Sequence, residues 1–365
     1  IGSGPSLDNS LEWIKRNQEK FVIVSCASNF GSLRRAGIEV DVLCLLERGD
    51  FMIEQYSEFV ETYGAGNTKL FASVTTPAPL LDLFKDSMVY FRPSLTPCSL
   101  FSDNESQILT GEGPQTVNTG VAFALSQSPR RIILCGADLG TASLNSVRTV
   151  GAIGESPRDF DRCVPGNLRE TVYSNDLLLD GVRVLETISR AFSDTSLELI
   201  NCSDGVKING WVGLPLDQLP FKSDGKNVAE IDRWWSQRRR YSSRLFQASF
   251  IAAQPRRIVF ETLKSLKDAL EGATLDSWLE CRNRCVEILS INNKSNYQQF
   301  AARVIRGHMI RLILAINRQL IVLAKYGEDA QSKFLQKSLL LTISRVDSFE
   351  SEILGLIDTL ELTQQ

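Results

Sequence analysis

Short apolar runs alternate with amphipathic segments over roughly the first 205 residues, and this alternation limits the fold more than any other feature of the sequence. The apolar runs have the length and the Val/Ile/Leu content of buried strands, whereas the segments between them repeat apolar residues at helical spacing. The pattern predicts a mostly parallel sheet covered on both faces. The predicted elements are helix 6–18, strand 21–26, helix 29–36, strand 41–46, helix 50–63, strand 69–74, helix 78–86, strand 88–92, helix 116–127, strand 131–136, helix 174–192 and strand 197–201.

The sequence changes character after this region. The chain has 365 residues, more than the ~150 of a typical domain. From Asn227 to Leu362 glycine is scarce and apolar residues recur at helical spacing, as in Ile316 and Leu320. We therefore predict a Rossmann-like, doubly wound α/β domain at residues 1–223, followed by an all-α helical bundle domain at residues 224–365.

One long segment, residues 139–172, has no clear periodicity and is rich in Gly, Ser, Asn, Arg and Pro. Loops of this length in a compact domain are usually either functional lids or disordered. The segment follows a predicted strand end, and ligands of open α/β sheets bind at the carboxyl ends of the strands. We expect it to be a lid over the ligand crevice.

The chain opens with a glycine turn, Gly2-Ser3-Gly4-Pro5-Ser6, that leads directly into a predicted helix. Glycines permit a tight turn and close backbone approach, proline suits the first helical position, and a helix N-terminus attracts anions. The turn therefore predicts a phosphate site, although a plain strand-to-helix turn would use the same residues. Since Ile1 stands immediately before the turn, we also expect a further N-terminal segment that supplies the preceding strand.

The same turn excludes two common nucleotide motifs. A Walker loop requires Gly-Lys-Ser/Thr at its end, and here Pro5-Ser6-Leu7 follows the second glycine. A dinucleotide fingerprint requires a third glycine where Leu7 stands and an acidic residue about 20 positions further on. The strand that begins at Phe21 instead ends in the neutral run 26–29, so NAD is disfavoured.

A second group of polar residues surrounds the strand at 131–135. Asn118, Thr119 and Gly120 precede it on a predicted helix, and Gly136 and Asp138 follow it. Asn118 and Thr119 offer hydrogen bonds, Gly120 permits a ligand to approach the backbone, and Asp138 emerges at a strand end. The alternatives remain that Asn118 and Thr119 cap a helix and that Asp138 forms a turn.

Taken in order, three motifs resemble those of the Maf family, the motility-associated factors of flagellated bacteria. They are Gly-Ser-Gly-Pro-Ser-Leu-Asp at residues 2–8, Asn-Thr-Gly-Val-Ala at 118–122 and Ile-Ile-Leu-Cys-Gly-Ala-Asp-Leu-Gly at 132–140. The resemblance covers roughly residues 1–205, and a trailing helical domain also suits full-length Maf proteins. More distantly, the first motif is similar to the nucleotide loop of bacterial lipooligosaccharide sialyltransferases.

The resemblance implies a cytoplasmic glycosyltransferase of the motility apparatus. Maf proteins are regarded as enzymes that transfer pseudaminic or legionaminic acid, both nonulosonic acids, from a CMP-activated donor to Ser or Thr of flagellin. Flagellin and the CMP-sugar are then the partners, and a divalent metal is needed less because the donor carries one phosphate. Gly2, Ser3, Gly4, Pro5 and Ser6 become the candidate nucleotide-binding turn, with Asn118, Thr119, Gly120 and Gly136 as further nucleotide-binding candidates.

The chain departs from the sialyltransferases where they carry catalytic and nucleotide-binding side chains. Tyr173 stands in the place of their catalytic histidine, and Glu47 and Ala27 replace asparagines. The only histidine, His308, lies in the helical domain, so a histidine base is not expected. Asp138 and Glu47 are therefore the candidate bases, with Asp176 and Glu170 as further carboxylates, and Tyr173 is a candidate hydrogen-bond donor to the leaving phosphate.

Other features of the sequence narrow the class of protein. The eight scattered cysteines indicate buried thiols in a reducing compartment, and the formal net charge of −3 gives no indication of nucleic-acid binding. The most apolar stretch, residues 309–324, is interrupted by charged residues, so no membrane span is expected. Two alternatives remain open: a 6-hydroxymethyl-dihydropterin diphosphokinase that uses ATP and Mg²⁺, and a non-catalytic flagellin-binding chaperone.

Overall fold

The computed structural model divides the chain into two compact units. The described residues are 1–46, 49–93, 108–152, 159–220, 225–238, 248, 250–252, 254–290 and 296–362. The first unit contains the described residues up to Arg92 and from Ile108 to Arg238, and the second contains Pro93 and the described residues from 248 onward. The predicted boundary at residue 223 therefore differs from the observed one, because the helix at 228–237 packs on the first unit through Ile231 and Trp235.

The first unit is the predicted α/β fold. Its helices are α1 (Leu7–Asn17), α2 (Phe30–Arg35), α3 (Phe51–Tyr63), α4 (Ala78–Asp82), α5 (Thr116–Ser126), α6 (Asp176–Ala191) and α7 (Val228–Gln237). Its strands are β1 (Val24–Cys26), β2 (Val42–Leu45), β3 (Lys69–Ser73), β4 (Asp86–Tyr90), β5 (Arg131–Leu134), β6 (Arg162–Pro165), β7 (Thr171–Ser174), β8 (Glu198–Asn201) and β9 (Val212–Gly213).

Two parallel sheets form the centre of this unit. One has the order β1-β2-β3-β4 and the other the order β5-β8-β9. The first residues of the chain lie between the edge strands β1 and β5. Ile1 donates to Val24 O and accepts from Cys26 N, the pattern of a parallel strand partner, while Gly2 N donates to Cys135 O at 2.8 Å. A cavity of about 1170 Å³ extends from Ile1 between the same two edges.

Side chains of β2 point alternately to the two faces of its sheet, as the period of a strand requires. Leu43 and Leu45 pack into a core with residues of α1, α2, α3 and α4. Val42 and Cys44 face the opposite side, where they pack with Phe123 of α5 and Trp235 of α7. Helices therefore cover both faces of the sheet, and the predicted doubly wound fold is confirmed.

The periodic segments form the predicted helices and strands. The aperiodic segment 139–172, however, contributes to a β-hairpin that the sequence pattern did not predict. Strands β6 and β7 form an antiparallel hairpin in which Cys163 pairs with Tyr173. The hairpin is mostly exposed, so it lacks the clear apolar alternation by which strands are recognised in a sequence.

The second unit is the predicted helical bundle. Its helices are α8 (Pro255–Leu270), α9 (Trp278–Ile288), α10 (Asn296–Leu323) and α11 (Glu328–Leu362). Ile316 and Leu320, which carried the prediction, are buried in one apolar core shared by all four helices. Within the described residues no single helix has the length and composition of a membrane span, whereas the bent pair 299–307 and 309–326 passes that test together.

Gly120 sets the distance between α5 and the sheet, and a substitution there tests this packing. A Cβ at Gly120 would lie 2.5 Å from Cys26 Sγ, so we expect Gly120→Ala to push α5 from β1 and to lower the free energy of unfolding by about 1–3 kcal/mol. The matched control is Gly355→Ala in α11, where a Cβ meets nothing within 4 Å and helix propensity should add up to about 1 kcal/mol. Urea unfolding followed by circular dichroism measures both; equal behaviour of the two variants would contradict the packing role.

Candidate functional site

A cavity of about 320 Å³ lies at the carboxyl ends of β1 and β5, where a doubly wound fold binds its ligands. Its volume is at the lower end of the range for small-molecule sites. The described residues that line it are Gly2, Ser3, Gly4, Cys26, Ala27, Ser28, Phe51, Met52, Tyr56, Gln115, Thr116, Val117, Gly136, Ala137, Asp138, Leu139, Gly140, Val147, Arg148, Phe160 and Leu178.

The glycine turn forms one wall of this cavity. Its glycines are needed mainly because the backbone of the turn crosses the backbone at the end of β5. Gly2 N donates to Cys135 O at 2.8 Å and Gly4 N to Gly136 O at 2.7 Å. A Cβ at Gly2 would lie 2.5 Å from Gly136 O, and a Cβ at Gly4 would collide with the side chain of Asp138. Both glycines therefore let the turn cross the end of β5, and both also line the cavity, so ligand approach to their backbone stays a prediction.

The N-terminus of α1 binds a carboxylate of the protein itself. Ser6 N donates to Asp138 Oδ2 at 2.8 Å, and Ser6 Oγ donates to Asp138 Oδ1. Because helix N-termini attract negative charge, Asp138 takes the position that the sequence analysis assigned to a phosphate. Of the predicted turn, Gly2, Ser3 and Gly4 line the cavity, while Pro5 and Ser6 do not. In the described part of the chain, no acceptor bonds the Ser3 amide.

Burial changes the acidity of Asp138. The side chain is almost fully buried, and this raises its pKa from 3.8 to about 6, while the two hydrogen bonds from Ser6 act in the opposite direction. The residue lines the cavity as predicted, and it is the one carboxylate among the described lining residues. A carboxylate with this pKa is ionised at neutral pH and accepts a proton readily.

The first turn of α5 forms the opposite wall. Gln115, Thr116 and Val117 line the cavity, and the amides of Thr116 and Val117 have no acceptor within the helix because they occupy its first turn. These amides and the helix dipole make this wall the positive end of a helix that points at the cavity. No sequence motif singled out Gln115, Thr116 and Val117, but the start of the predicted helix at 116 marked their position.

The three α5 residues that the sequence analysis proposed are packed inside the protein instead. Asn118 is fully buried, accepts from Gln115 N at 3.0 Å and donates to Gly181 O at 2.9 Å. Thr119 is fully buried and donates to Glu112 O at 2.6 Å, and Gly120 lies against Cys26. These contacts leave none of the three at the cavity, so the helix-cap alternative describes Asn118 correctly.

Two residues at the rim have strained backbones. Ala27 has a φ of 53° and Leu139 a φ of 46°, both in the left-handed region that non-glycine residues avoid. Both line the cavity, and Gly136, another predicted residue at its wall, has a φ of 62°. Such strain is concentrated at functional sites, where surrounding contacts hold it in place.

Residues 141–150 form a strap across the glycine turn. Thr149 N donates to Ser3 O at 2.9 Å, Thr149 Oγ1 donates to Asp8, and Val150 N donates to Asp8 Oδ1 at 3.1 Å. The strap places Val147 and Arg148 in the cavity wall. The predicted lid at 139–172 is therefore divided between the strap, which is hydrogen-bonded to the glycine turn and α1, and the β6–β7 hairpin. Its residues 153–158 lie outside the described residues.

Of the remaining predicted catalytic residues, Tyr173 is not at the cavity. Tyr173 is 42 % exposed, and its backbone pairs with Thr141. It belongs to strand β7 of the exposed hairpin and does not line the cavity. Glu47 lies outside the described residues. Phe160 lines the cavity, whereas its neighbours Asp159 and Asp161 do not, and the described residues contain no cluster of three or more potential metal ligands.

The site thus combines cationic and aromatic groups. The positive end of α5, the Ser3 amide and the guanidinium of Arg148 suit an anion, and Phe51, Tyr56 and Phe160 add aromatic surface. Asp138 supplies a proton acceptor. This arrangement suits a phosphate ester that carries a flat base, which is the chemistry of a nucleotide.

Comparisons with known proteins found a matching family model and a similar solved structure. Residues 1–143 match the family model described as "6-hydroxymethylpterin diphosphokinase MptE-like". The structure of a Maf glycosyltransferase from Magnetospirillum magneticum AMB-1 is similar over 97% of this chain and 55% of that chain, with a TM-score of 0.67 and 25% identity. The chain therefore spans about half the length of that protein. A search of curated proteins found no match. The resemblance to Maf glycosyltransferases is confirmed.

The raised pKa of Asp138 makes stability depend on pH. Between its ordinary value of 3.8 and about 6, the folded protein binds this proton more tightly than the unfolded chain, so burial of Asp138 costs more stability as pH rises through that window. The gap corresponds to about 3 kcal/mol. We expect the free energy of unfolding of the wild type, measured relative to Asp138→Asn, to fall by about this amount from pH 3.5 to pH 7. Chemical unfolding at several pH values tests this; a difference independent of pH would contradict the burial effect.

Proposed function

We propose that the protein is a glycosyltransferase that transfers a nonulosonic acid, pseudaminic or legionaminic acid, from a CMP-activated donor to Ser or Thr of flagellin in the cytoplasm. The observation that carries the proposal is the cavity at the ends of β1 and β5, in a chain similar over 97% of its length to a Maf glycosyltransferase. The α5 N-terminus and the Ser3 amide give this cavity donors for a nucleotide phosphate, and Arg148 adds a separate cationic side chain to its wall.

The donor phosphate is assigned to the first turn of α5. The amides of Thr116 and Val117 and the amide of Ser3 offer donors, and the helix dipole favours the negative charge. The aromatic rings of Phe51, Tyr56 and Phe160 offer surfaces for the cytosine base. Since the donor carries a single phosphate, we expect no requirement for a divalent cation.

In the proposed reaction, the acceptor hydroxyl oxygen forms a bond to the anomeric carbon of the sugar. The bond between that carbon and the phosphate oxygen breaks, CMP leaves with the bonding electrons, and the hydroxyl proton passes to a base. Asp138 is our candidate for this base, because it lines the cavity and has a pKa of about 6. Ser6 would then position the carboxylate, since it donates to both oxygens.

A diphosphokinase acting on 6-hydroxymethyl-dihydropterin is the second candidate, and one observation favours it: the MptE-like family model matches residues 1–143. That reaction uses ATP and Mg²⁺, and magnesium prefers carboxylates together with substrate phosphates. The described lining residues offer a single carboxylate, Asp138, which is bonded to Ser6. The structural similarity over 97% of the chain therefore favours the transferase.

Binding of CMP at the α5 N-terminus is tested by Thr116→Glu. A carboxylate at the first position of α5 interacts well with the helix dipole but repels the donor phosphate, so we expect at least a tenfold loss of CMP affinity without loss of thermal stability. The control Thr116→Gln has similar size without the charge and should bind CMP within about threefold of the wild type. Calorimetry with CMP and with ATP measures both variants. Preferential binding of ATP by the wild type would favour the diphosphokinase.

The role of Asp138 is tested by the pH dependence of transfer to flagellin. Asp138→Asn should lower kcat by about 10²–10⁴-fold while CMP affinity stays within severalfold. In the wild type, kcat should rise with pH through about 6, because the base must be ionised. Ser6→Ala removes a hydrogen bond that lowers the pKa of Asp138, so its profile should move to higher pH. A profile unchanged in Ser6→Ala, or wild-type turnover in Asp138→Asn, would remove Asp138 as the base.

A further inference from the structure

Arg148 is the one basic side chain among the described residues that line the cavity, and no motif in the sequence pointed to it. It lies within the strap, between Val147, which also lines the cavity, and Thr149. A guanidinium is permanently charged and presents its N–H groups in a planar fork. Its position in the cavity wall therefore suggests a role in binding a particular anionic group.

The strap is fixed at the two residues that directly follow Arg148. Thr149 and Val150 bond to Ser3 O and to the carboxylate of Asp8, as described above. Val150 O accepts from Ser32 Oγ at 2.8 Å and from Arg35 at 2.7 Å, both on α2. These bonds tie the backbone beside Arg148 to α1 and α2, so the residue does not depend on loop closure for its place in the wall.

Two positive groups thus reach the cavity from opposite faces of the sheet. Helices α1 and α2, which hold the strap, pack on the face that carries Leu43 and Leu45. Helix α5, whose N-terminus is assigned to the phosphate, packs on the face that carries Val42 and Cys44. A ligand with two separate anionic groups would pair with both, whereas a nucleoside monophosphate linked to a neutral sugar has only one.

We propose that Arg148 binds a carboxylate carried by the donor sugar and so selects nucleotide sugars of the ulosonic acid class over neutral sugars. The proposal rests on the proposed function. A nonulosonic acid carries its carboxylate on the anomeric carbon, next to the phosphate, and two parallel N–H···O bonds from a guanidinium match a carboxylate. Arg148 would then be a specificity-determining residue, and the strap would position it.

The test combines a change in the protein with a change in the ligand. Titration calorimetry compares CMP, CMP-pseudaminic acid and the methyl ester of CMP-pseudaminic acid, for the wild type, Arg148→Gln and Arg148→Lys. The matched control is Arg16→Gln, which removes an arginine on the exposed side of α1 that pairs with Glu12.

We expect Arg148→Gln to bind CMP-pseudaminic acid about 10- to 100-fold more weakly than the wild type, because a charge-assisted bidentate bond is lost. CMP should bind within about twofold. The methyl ester should bind the wild type as weakly as the acid binds Arg148→Gln, with little further loss in that variant, since one contact cannot be removed twice. Arg148→Lys should recover part of the affinity, and Arg16→Gln should match the wild type.

Three results would overturn the proposal. Equal losses of affinity for CMP and CMP-pseudaminic acid in Arg148→Gln would assign Arg148 to the phosphate. If the methyl ester binds Arg148→Gln more weakly by the product of the two separate losses of affinity, then Arg148 and the carboxylate make independent contacts. In both cases the donor still binds, so the proposed function stands. If the wild type binds neither CMP nor CMP-pseudaminic acid, the proposed function fails and the role of Arg148 fails with it.

Discussion

The arrangement of the first unit depends on the contact between the start of the chain and the segment that follows β5. Gly2 and Gly4 donate to Cys135 O and Gly136 O, and Ser6 holds both carboxylate oxygens of Asp138. Together with the bonds of Ile1 to β1, these contacts join the edges of two sheets. They have a cost, since burial raises the pKa of Asp138 to about 6, and the positive end of α1 offsets it in part.

This contact also decides where an external anion is able to bind. Because the N-terminus of α1 is satisfied by Asp138, the positive groups that line the cavity come from α5, the Ser3 amide and Arg148. The strap depends on the same region, since Asp8 in the first turn of α1 accepts from Thr149 and Val150. One helix start therefore positions both the carboxylate and the guanidinium of the cavity, and it does so without contributing its own amides to the ligand.

Much of the fold and part of the site follow from local pattern. The helix predicted at 6–18 is observed at Leu7–Asn17 and the strand at 69–74 at Lys69–Ser73, because their apolar residues have the period of the element they form. Gly2, Ser3, Gly4, Gly136 and Asp138 were expected at the ligand crevice and line it. Asn118 and Thr119 were expected there too, but the sequence does not reveal which side of a helix start faces the cavity. Both side chains are fully buried inside the protein and do not reach the cavity.

The sequence by itself determined the order of the periodic strands and helices, the helical character of the second unit and the end of the sheet where the cavity lies, since each depends on periodicity and chain direction alone. Only the tertiary structure decided which partner each polar group takes. Ser6 and Asp138 are 132 residues apart, and Thr149 and Asp8 are 141 apart. Such pairs form because burial requires each polar group to find a partner, and folding brings together groups that no local pattern connects.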